Sequence, residues 1–473
     1  MTALNVSRRA LELLALLVLA RLLSPDDFGL LGIALLTLTG LERFSQLGLT
    51  SALIQRSEEN VDRYLNTAWT LQIARGVLLS GVVLLIAGPA ARFFGEPAVE
   101  PVLRVVALTP ILAGLENPGV VYFQKDLQFH KQFVHLMSTS LSYVIVTVAL
   151  AFLWGNIWAL VLGKVLSELV QLVVSYLVHP YRPALAFDRE TAIDLLNFGK
   201  WITASGIIYF LADEGDDFVV GWLLTAASLG FYRLAYRLAL TPVSEVTGVI
   251  STVMFPTYSK LQDDLDAVRE AFFRTLKLTT ALTLPIGIGI LIVAPPFVEA
   301  VLGDQWTPMV AALQVLSVYG IVVSLTSLFG PVWLALGRPD YGAKIGAVRV
   351  VVMAVLIYPA TTTYGFVGTG ATVLVAYLVG GMPLDLYLAR TQLELPLGRF
   401  VAVLVYPIVA AGGMGVTVWT LRESITFGSP LLALVVLVPV GVVCYAVFAA
   451  VLVRTAGWEL DDDLRHVVGA LGG

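Results

Sequence analysis

Long hydrophobic segments follow one another along most of the chain and are separated by short polar connections. Each segment has roughly 20 residues, the length that a helix needs to cross about 30 Å of hydrocarbon. A backbone inside a membrane must satisfy its own hydrogen bonds, so such segments predict helices. The pattern therefore predicts an all-α, polytopic membrane protein with about fourteen transmembrane helices. The predicted spans lie near residues 4–23, 28–50, 65–91, 101–123, 132–153, 157–178, 198–224, 229–254, 276–301, 308–336, 341–360, 366–389, 399–420 and 430–453.

Composition supports the membrane assignment. The chain is 58% hydrophobic and 13% charged, whereas a soluble globular protein has about 25% charged residues. The longest polar connections, residues 179–195 and 258–274, leave no room for a separate soluble domain. The single Cys444 predicts no disulfide, and the four histidines lack the spacing of metal ligands. We therefore expect no metal, no cofactor and no nucleic-acid partner.

Basic residues concentrate in the connections that follow the even-numbered spans. The alternate connections are nearly free of them; residues 154–156, 225–228 and 361–364 contain none. Basic connections face the cytoplasm, so both termini are predicted to be cytoplasmic in a multi-pass protein of the cytoplasmic membrane. The basic connections contain Arg56, Arg63, Lys125, Lys131, Arg182, Arg189, Lys260, Arg269, Arg338, Lys344, Arg390 and Arg399.

A stretch near the start of the chain recurs about two hundred residues later. Residues 22–31 align without gaps with residues 223–232, and each copy is typical of a helix end, a tight turn and a new helix. Ser24 and Thr225 suit the N-cap position, because a hydroxyl there accepts a hydrogen bond from the first turn. Pro25 suits the first helical position. A second pair, residues 95–96 and 303–304, strengthens the repeat.

The repeat predicts two similar lobes. Six predicted spans separate its copies, so the copies have the same orientation and are related by an axis along the membrane normal, as in transporters. We predict an N-lobe of six spans at residues 1–190, a C-lobe of six spans at residues 191–392, and two additional spans with a cytoplasmic tail at residues 393–473. The two lobes would enclose a charged, water-filled cavity.

Charged side chains inside the spans mark the candidate substrate path, because each costs a few kcal/mol unless it faces water or a partner. Lys164 and Glu168 lie four residues apart and are expected to pair. Guanidinium groups suit phosphate recognition. The candidate residues for an anionic substrate path are Arg43, Arg75, Arg233 and Arg237.

Four carboxylates lie within one hydrophobic segment, at Asp213, Glu214, Asp216 and Asp217. Such a group will not stay fully ionised without cations or water. One hypothesis is a proton or sodium site that couples transport to an ion gradient. The other is a helix broken at Gly215, whose acids lie in a wet cavity and pair with the arginines of the next span.

Several short segments together resemble the polysaccharide flippases of the multidrug/oligosaccharidyl-lipid/polysaccharide exporter superfamily. The similar segments are residues 20–29, 198–201, 217–221, 229–232, 235–237, 255–256, 303–306, 336–338 and 364–368. The resemblance implies a non-enzymatic flippase for a lipid-linked sugar. Its partners would be a glycan on polyprenyl or dolichyl (pyro)phosphate, membrane lipids and glycan-assembly enzymes, and it would function as a monomer.

Two alternatives remain open from the sequence. A cation-coupled drug antiporter of the same superfamily would have the same architecture and a smaller substrate. A membrane glycosyltransferase using a lipid-phosphate sugar donor would use Asp26 and Asp27, although a helix start also explains both acids. No glycine-rich phosphate-binding motif is present, which argues against direct use of ATP.

Overall fold

A computed structural model describes residues 2–55, 61–456 and 458. Helices make up the secondary structure of this part of the chain, and no strand occurs in it. The first eleven helices are α1 Thr2–Leu22, α2 Pro25–Phe44, α3 Leu49–Gln55, α4 Asp62–Phe93, α5 Val99–Val106, α6 Thr109–Leu115, α7 Val121–Lys125, α8 Phe129–Trp154, α9 Trp158–Val178, α10 Arg189–Asp213 and α11 Gly215–Leu223. The remaining helices are α12 Ala226–Leu261, α13 Leu265–Phe297, α14 Val310–Thr326, α15 Phe329–Ala335, α16 Pro339–Val375, α17 Met382–Gln392, α18 Leu397–Ser424 and α19 Pro430–Ala456.

The chain forms two compact units, Met1–Gly230 and Phe231–Gly473. In the first unit, the hairpin of α8 and α9 packs with α1, α5 and α6. In the second unit, an aromatic core gathers around Trp333 and Phe329 and includes residues from α13, α17 and α18. The division at residues 190 and 392 remains a prediction.

Within the described residues, nine helices are long and apolar enough to cross a membrane, which confirms a helical polytopic membrane protein. The count of fourteen remains a prediction. Four of the predicted spans contain none of these nine helices. Three of the four are divided into shorter helices, because their backbone breaks at residues 45–48, 107–108 and 214. The fourth, near residues 4–23, has four charged side chains, at Arg8, Arg9, Glu12 and Arg21.

The polar segment 258–274 is mostly helical, whereas residues 179–188 form a non-helical connection between α9 and α10. Helix α10 already begins at Arg189, and α12 and α13 are separated only by residues 262–264. Asp188 and Asp264 accept hydrogen bonds from the first turns of α10 and α13. These side chains replace the missing backbone partners of a helix start, so the helices begin outside the hydrophobic segments.

The two copies of the repeated turn have the predicted caps. Ser24 accepts a hydrogen bond from the Asp27 N–H at 3.2 Å, and Asp27 accepts one from the Ser24 N–H at 2.9 Å. This reciprocal capping box starts α2, with Pro25 at its first position. In the second copy, the Thr225 hydroxyl accepts from the Ser228 N–H at 3.3 Å. The expected N-cap roles of Ser24 and Thr225 are confirmed.

The two repeated turns also contact each other. A side chain at Gly29 would overlap the backbone carbonyl of Ala226, and a side chain at Gly230 would overlap the carbonyl of Pro25. Gly29 aligns with Gly230, and Pro25 aligns with Ala226. The contact is therefore reciprocal, with the backbones of α2 and the start of α12 touching where only glycine leaves room.

Candidate substrate path and ion sites

Arg75 binds the backbone at a helix break after α2. Its Nε donates to the Ser45 carbonyl at 2.8 Å, and its Nη2 donates to the Glu42 carbonyl at 3.0 Å. These carbonyls lie at the C-terminal end of α2, where the chain leaves the helix before Gly48 at a φ of 62°. The last carbonyls of a helix have no partner within the helix and need such donors. The structure therefore places Arg75 in a bond to the backbone.

Arg43 lies at the same break and differs from Arg75. Its side chain is exposed and makes no hydrogen bond or ion pair with the described residues. A methyl group on Gly206 of α10 would lie 3.8 Å from its Cδ. The positive charge of Arg43 also acts on the Asp213 carboxylate. A cation without a hydrogen bond or ion pair among the described residues can bind an anionic ligand.

Glu42 and the predicted ion pair of α9 lie close to this break. Lys164 and Glu168 form an ion pair at 2.5 Å, which confirms the expected pairing. Glu42 lies in the fields of Arg75, Lys164, Glu168 and Arg43. The group thus combines three cationic and two anionic side chains around the end of α2, and Arg43 also acts on a third carboxylate, that of Asp213. Guanidinium groups are well shaped to bind phosphate.

The acidic residues after α10 lie on both sides of a helix break. The break is at Glu214, one residue before the predicted Gly215, and α11 starts there. Asp216 and Asp217 occupy the first turn of α11, where the helix dipole favours negative charge. Asp216 is buried and accepts from the Asp217 N–H at 3.0 Å. This position explains two of the four acids without a bound cation.

Asp213 differs from those two acids. It is the last residue of α10, at the helix end where the dipole disfavours a carboxylate. Its side chain is exposed and forms no hydrogen bond or ion pair within the described part of the chain. Glu214 has an interaction partner. Of the predicted cation-coupling residues, Asp213 therefore has the geometry that best suits a bound cation.

Arg233 and Arg237 lie one turn apart on α12, in the second unit. Arg233 is half-buried and Arg237 is exposed, and each has an interaction partner. Their predicted pairing with Asp217 remains a prediction, as does their contact with an anionic substrate.

The sequence also matches known proteins. The profile of the family described as "Polysaccharide biosynthesis protein" matches residues 18–311, more than half of the chain. The chain belongs to this family. It is 28% identical over 341 residues to Lipopolysaccharide biosynthesis protein WzxC of Escherichia coli strain K12, covering 72% of this chain and 69% of WzxC. It is 27% identical over 410 residues to Teichuronic acid biosynthesis protein TuaB of Bacillus subtilis strain 168, covering 84% of this chain and 83% of TuaB.

The fold of this polysaccharide biosynthesis family member also has a solved counterpart. The structure titled lipid II flippase MurJ, inward closed conformation, matches with a TM-score of 0.77, covering 96% of this chain and 98% of that one. The identity is 14%, so the likeness establishes the fold alone. The predicted resemblance to polysaccharide flippases is confirmed at the level of the family. All the predicted site residues lie within the matched range.

This family member has a polar pair, formed by the buried His135 and the half-buried Glu116, that no sequence motif marks. His135 Nε2 on α8 lies 2.7 Å from Glu116 Oε1, and Gln171 Nε2 on α9 donates to Glu116 Oε2 at 3.3 Å. No local spacing marks the pair, since its members come from different helices. The only available signal was a charge, Glu116, inside a hydrophobic segment. Across residues 2–55, 61–456 and 458, no group of three His, Cys, Asp or Glu side chains suits a metal ion.

Proposed function

We propose that this protein is a flippase that moves a lipid-linked sugar or oligosaccharide across the cytoplasmic membrane for polysaccharide or glycoprotein assembly. The names of WzxC and TuaB place those relatives in polysaccharide synthesis, and the structural neighbour is titled a lipid II flippase. The observation that carries the proposal is Arg43, a cation without a partner in the described structure beside a helix break in a hydrophobic span.

In this proposal, the polyprenyl or dolichyl tail stays in lipid while the sugar and its (pyro)phosphate pass through a polar interior between two lobes. Alternating access of the lobes exposes that interior to each side in turn. Arg43 binds the phosphate, and the hydrogen bonds from Arg75 to the end of α2 hold the backbone beside Arg43 in place. Arg233 and Arg237 supply further cations along the path. The protein acts without catalysis, as a monomer with both termini in the cytoplasm.

Arg43→Gln is expected to slow translocation about tenfold or more, because a hydrogen bond to a charged group contributes roughly 1.5–3 kcal/mol. The measurement uses protein in vesicles with a fluorescent lipid-linked sugar, and follows its accessibility to a membrane-impermeant quencher. Arg43→Lys keeps the charge and should retain a larger share of the rate. Arg454→Gln is the matched control, an exposed arginine at the end of α19, and should translocate normally. An unchanged rate in Arg43→Gln would contradict the proposed role.

Asp213 favours a second candidate function, cation-coupled antiport, because this acid lacks a partner in the described structure at an unfavourable helix end. Asp213→Asn is expected to remove the dependence of transport on an imposed proton or sodium gradient. Both transport of lipid-linked sugar and efflux of a cationic dye are measured in vesicles with and without each gradient. Gradient-driven dye efflux without sugar transport would favour the antiporter. The same gradient dependence in Asp213→Asn would exclude Asp213 as the coupling residue.

A further inference from the structure

The first unit contains a polar cavity of about 220 Å³. Its walls come from α3, α4, α6, α7 and α8 and from the turn between α6 and α7. A water molecule occupies about 30 Å³ in the liquid, so the cavity has room for several waters or for one small polar molecule. Drug-sized ligands fill pockets of about 300–1,000 Å³. The size therefore suits a ligand no larger than a single sugar ring.

Uncharged hydrogen-bonding side chains without partners line this cavity. Thr50, Gln72, Gln124 and Gln132 all contribute to the walls, and none of them makes a hydrogen bond through its side chain with the described residues. Each amide offers two donors and one acceptor oxygen, and the hydroxyl offers both kinds of group. Thr50 and Gln124 are exposed, whereas Gln72 and Gln132 are half-buried, and a polar group withdrawn from water without a partner costs about 1–3 kcal/mol. The wall is therefore organised for a ligand that both donates and accepts.

Glu116 supplies the only carboxylate on the described cavity wall, and its two oxygens are held in place. His135 Nε2 lies 2.7 Å from one oxygen, and Gln171 donates to the other at 3.3 Å. His135 is 5% exposed, and its Nδ1 is buried with no hydrogen-bond partner in the described structure. An Nδ1 proton would have no acceptor, so the imidazole proton belongs on Nε2 and points at Glu116. The remaining lone pairs of the carboxylate are available to a donor.

We propose that this cavity binds one uncharged sugar residue of the glycan, so the inference rests on the proposed function. Neighbouring sugar hydroxyls donate to the Glu116 carboxylate and exchange hydrogen bonds with the amides of Gln72 and Gln132. A phosphate would be repelled by Glu116, and one carboxylate with amides is a poor site for a divalent metal ion. In this proposal the cavity binds the sugar, while cationic side chains elsewhere bind the phosphate.

Saturation-transfer NMR on the full chain in nanodiscs tests the proposal, with glucose and N-acetylglucosamine as the probes. At least one sugar should receive saturation from the wild-type protein. Gln72→Leu and Gln132→Leu should each weaken binding about fivefold, the equivalent of one neutral hydrogen bond. Gln392→Leu is the matched control, because that exposed glutamine makes no side-chain hydrogen bond in the described part of the chain. It should bind as the wild type does.

A variant that fills the cavity tests the site independently if the glutamine variants fail to fold. Ala113 is an exposed wall residue, and Ala113→Phe should abolish the signal while the protein stays monodisperse. Absence of saturation transfer to both sugars, or equal transfer in the variants, would show a cavity that holds only water and would overturn the proposal. Translocation is measured in parallel. Sugar binding without translocation would reject the proposed function and retain the cavity site, whereas translocation without sugar binding would reject the cavity site alone.

Discussion

Gly29→Ala is expected to prevent the protein from folding to a stable, monodisperse form. The added methyl group would overlap the carbonyl of Ala226, which belongs to the backbone and cannot rotate away. Overpacking costs about 1–3 kcal/mol where side chains can adjust and more where they cannot. We expect a loss at or above about 3 kcal/mol in the free energy of unfolding. The measurement is the monodisperse fraction after size-exclusion chromatography, together with the melting temperature in detergent.

Because the contact is reciprocal, the second glycine, Gly230, provides a further test of it. Gly230→Ala should cause a loss similar to that of Gly29→Ala, because it forces the same two backbones apart. The double variant should cost less than the sum of the two, since both changes act on one contact. Gly81→Ala is the control, because a methyl group there has nothing within 4 Å. It should be as stable as the wild type or more so, because alanine favours a helix. Wild-type stability in Gly29→Ala would exclude the close contact.

Local interactions could be predicted from the sequence. The Ser24–Asp27 capping box and the Lys164–Glu168 pair connect residues three or four positions apart, so helical geometry alone brings their side chains together. The length of a hydrophobic segment is also a local feature, and it predicts membrane helices without any long-range contact. The family resemblance rests on short segments as well. These features determine the fold class before any long-range contact is known.

The helix breaks and their partners could not be predicted in the same way. The sequence analysis predicts residues 28–50 as one span, because the polar residues Glu42, Arg43, Ser45 and Gln46 do not show where the backbone leaves the helix. The stability of this break depends on Arg75, which lies 30 residues from Ser45 in the sequence. The arginine therefore appeared in the sequence as a candidate ligand for a substrate, whereas its donors are used by the backbone. Glu116 and His135 are a similar case, since their contact depends on the packing of separate helices.

Arg349→Met is expected to destabilise the second unit by about 3–5 kcal/mol, the usual cost of removing one partner of a buried ion pair. Arg349 Nη2 lies 3.1 Å from Asp385 Oδ2, and the side chain of Asp385 is only 4% exposed. The other Asp385 oxygen has one distant donor, Trp333 Nε1 at 3.5 Å. The guanidinium also lies 4.1 Å from the ring centre of Tyr377, so its loss removes a packing contact as well. Melting temperature in detergent measures the effect.

A double variant distinguishes two quantities: the destabilisation caused by a buried carboxylate without its partner, and the net contribution of the ion pair to stability. Arg349→Met combined with Asp385→Leu removes both charges, and a buried pair replaced by apolar groups is often neutral. We expect the double variant to recover most of the stability that Arg349→Met loses. Arg338→Met is the control, since its ion pair with Asp340 is exposed and should contribute little. If the double variant were as unstable as the single one, the instability would come from lost packing against Tyr377 and not from the Asp385 carboxylate.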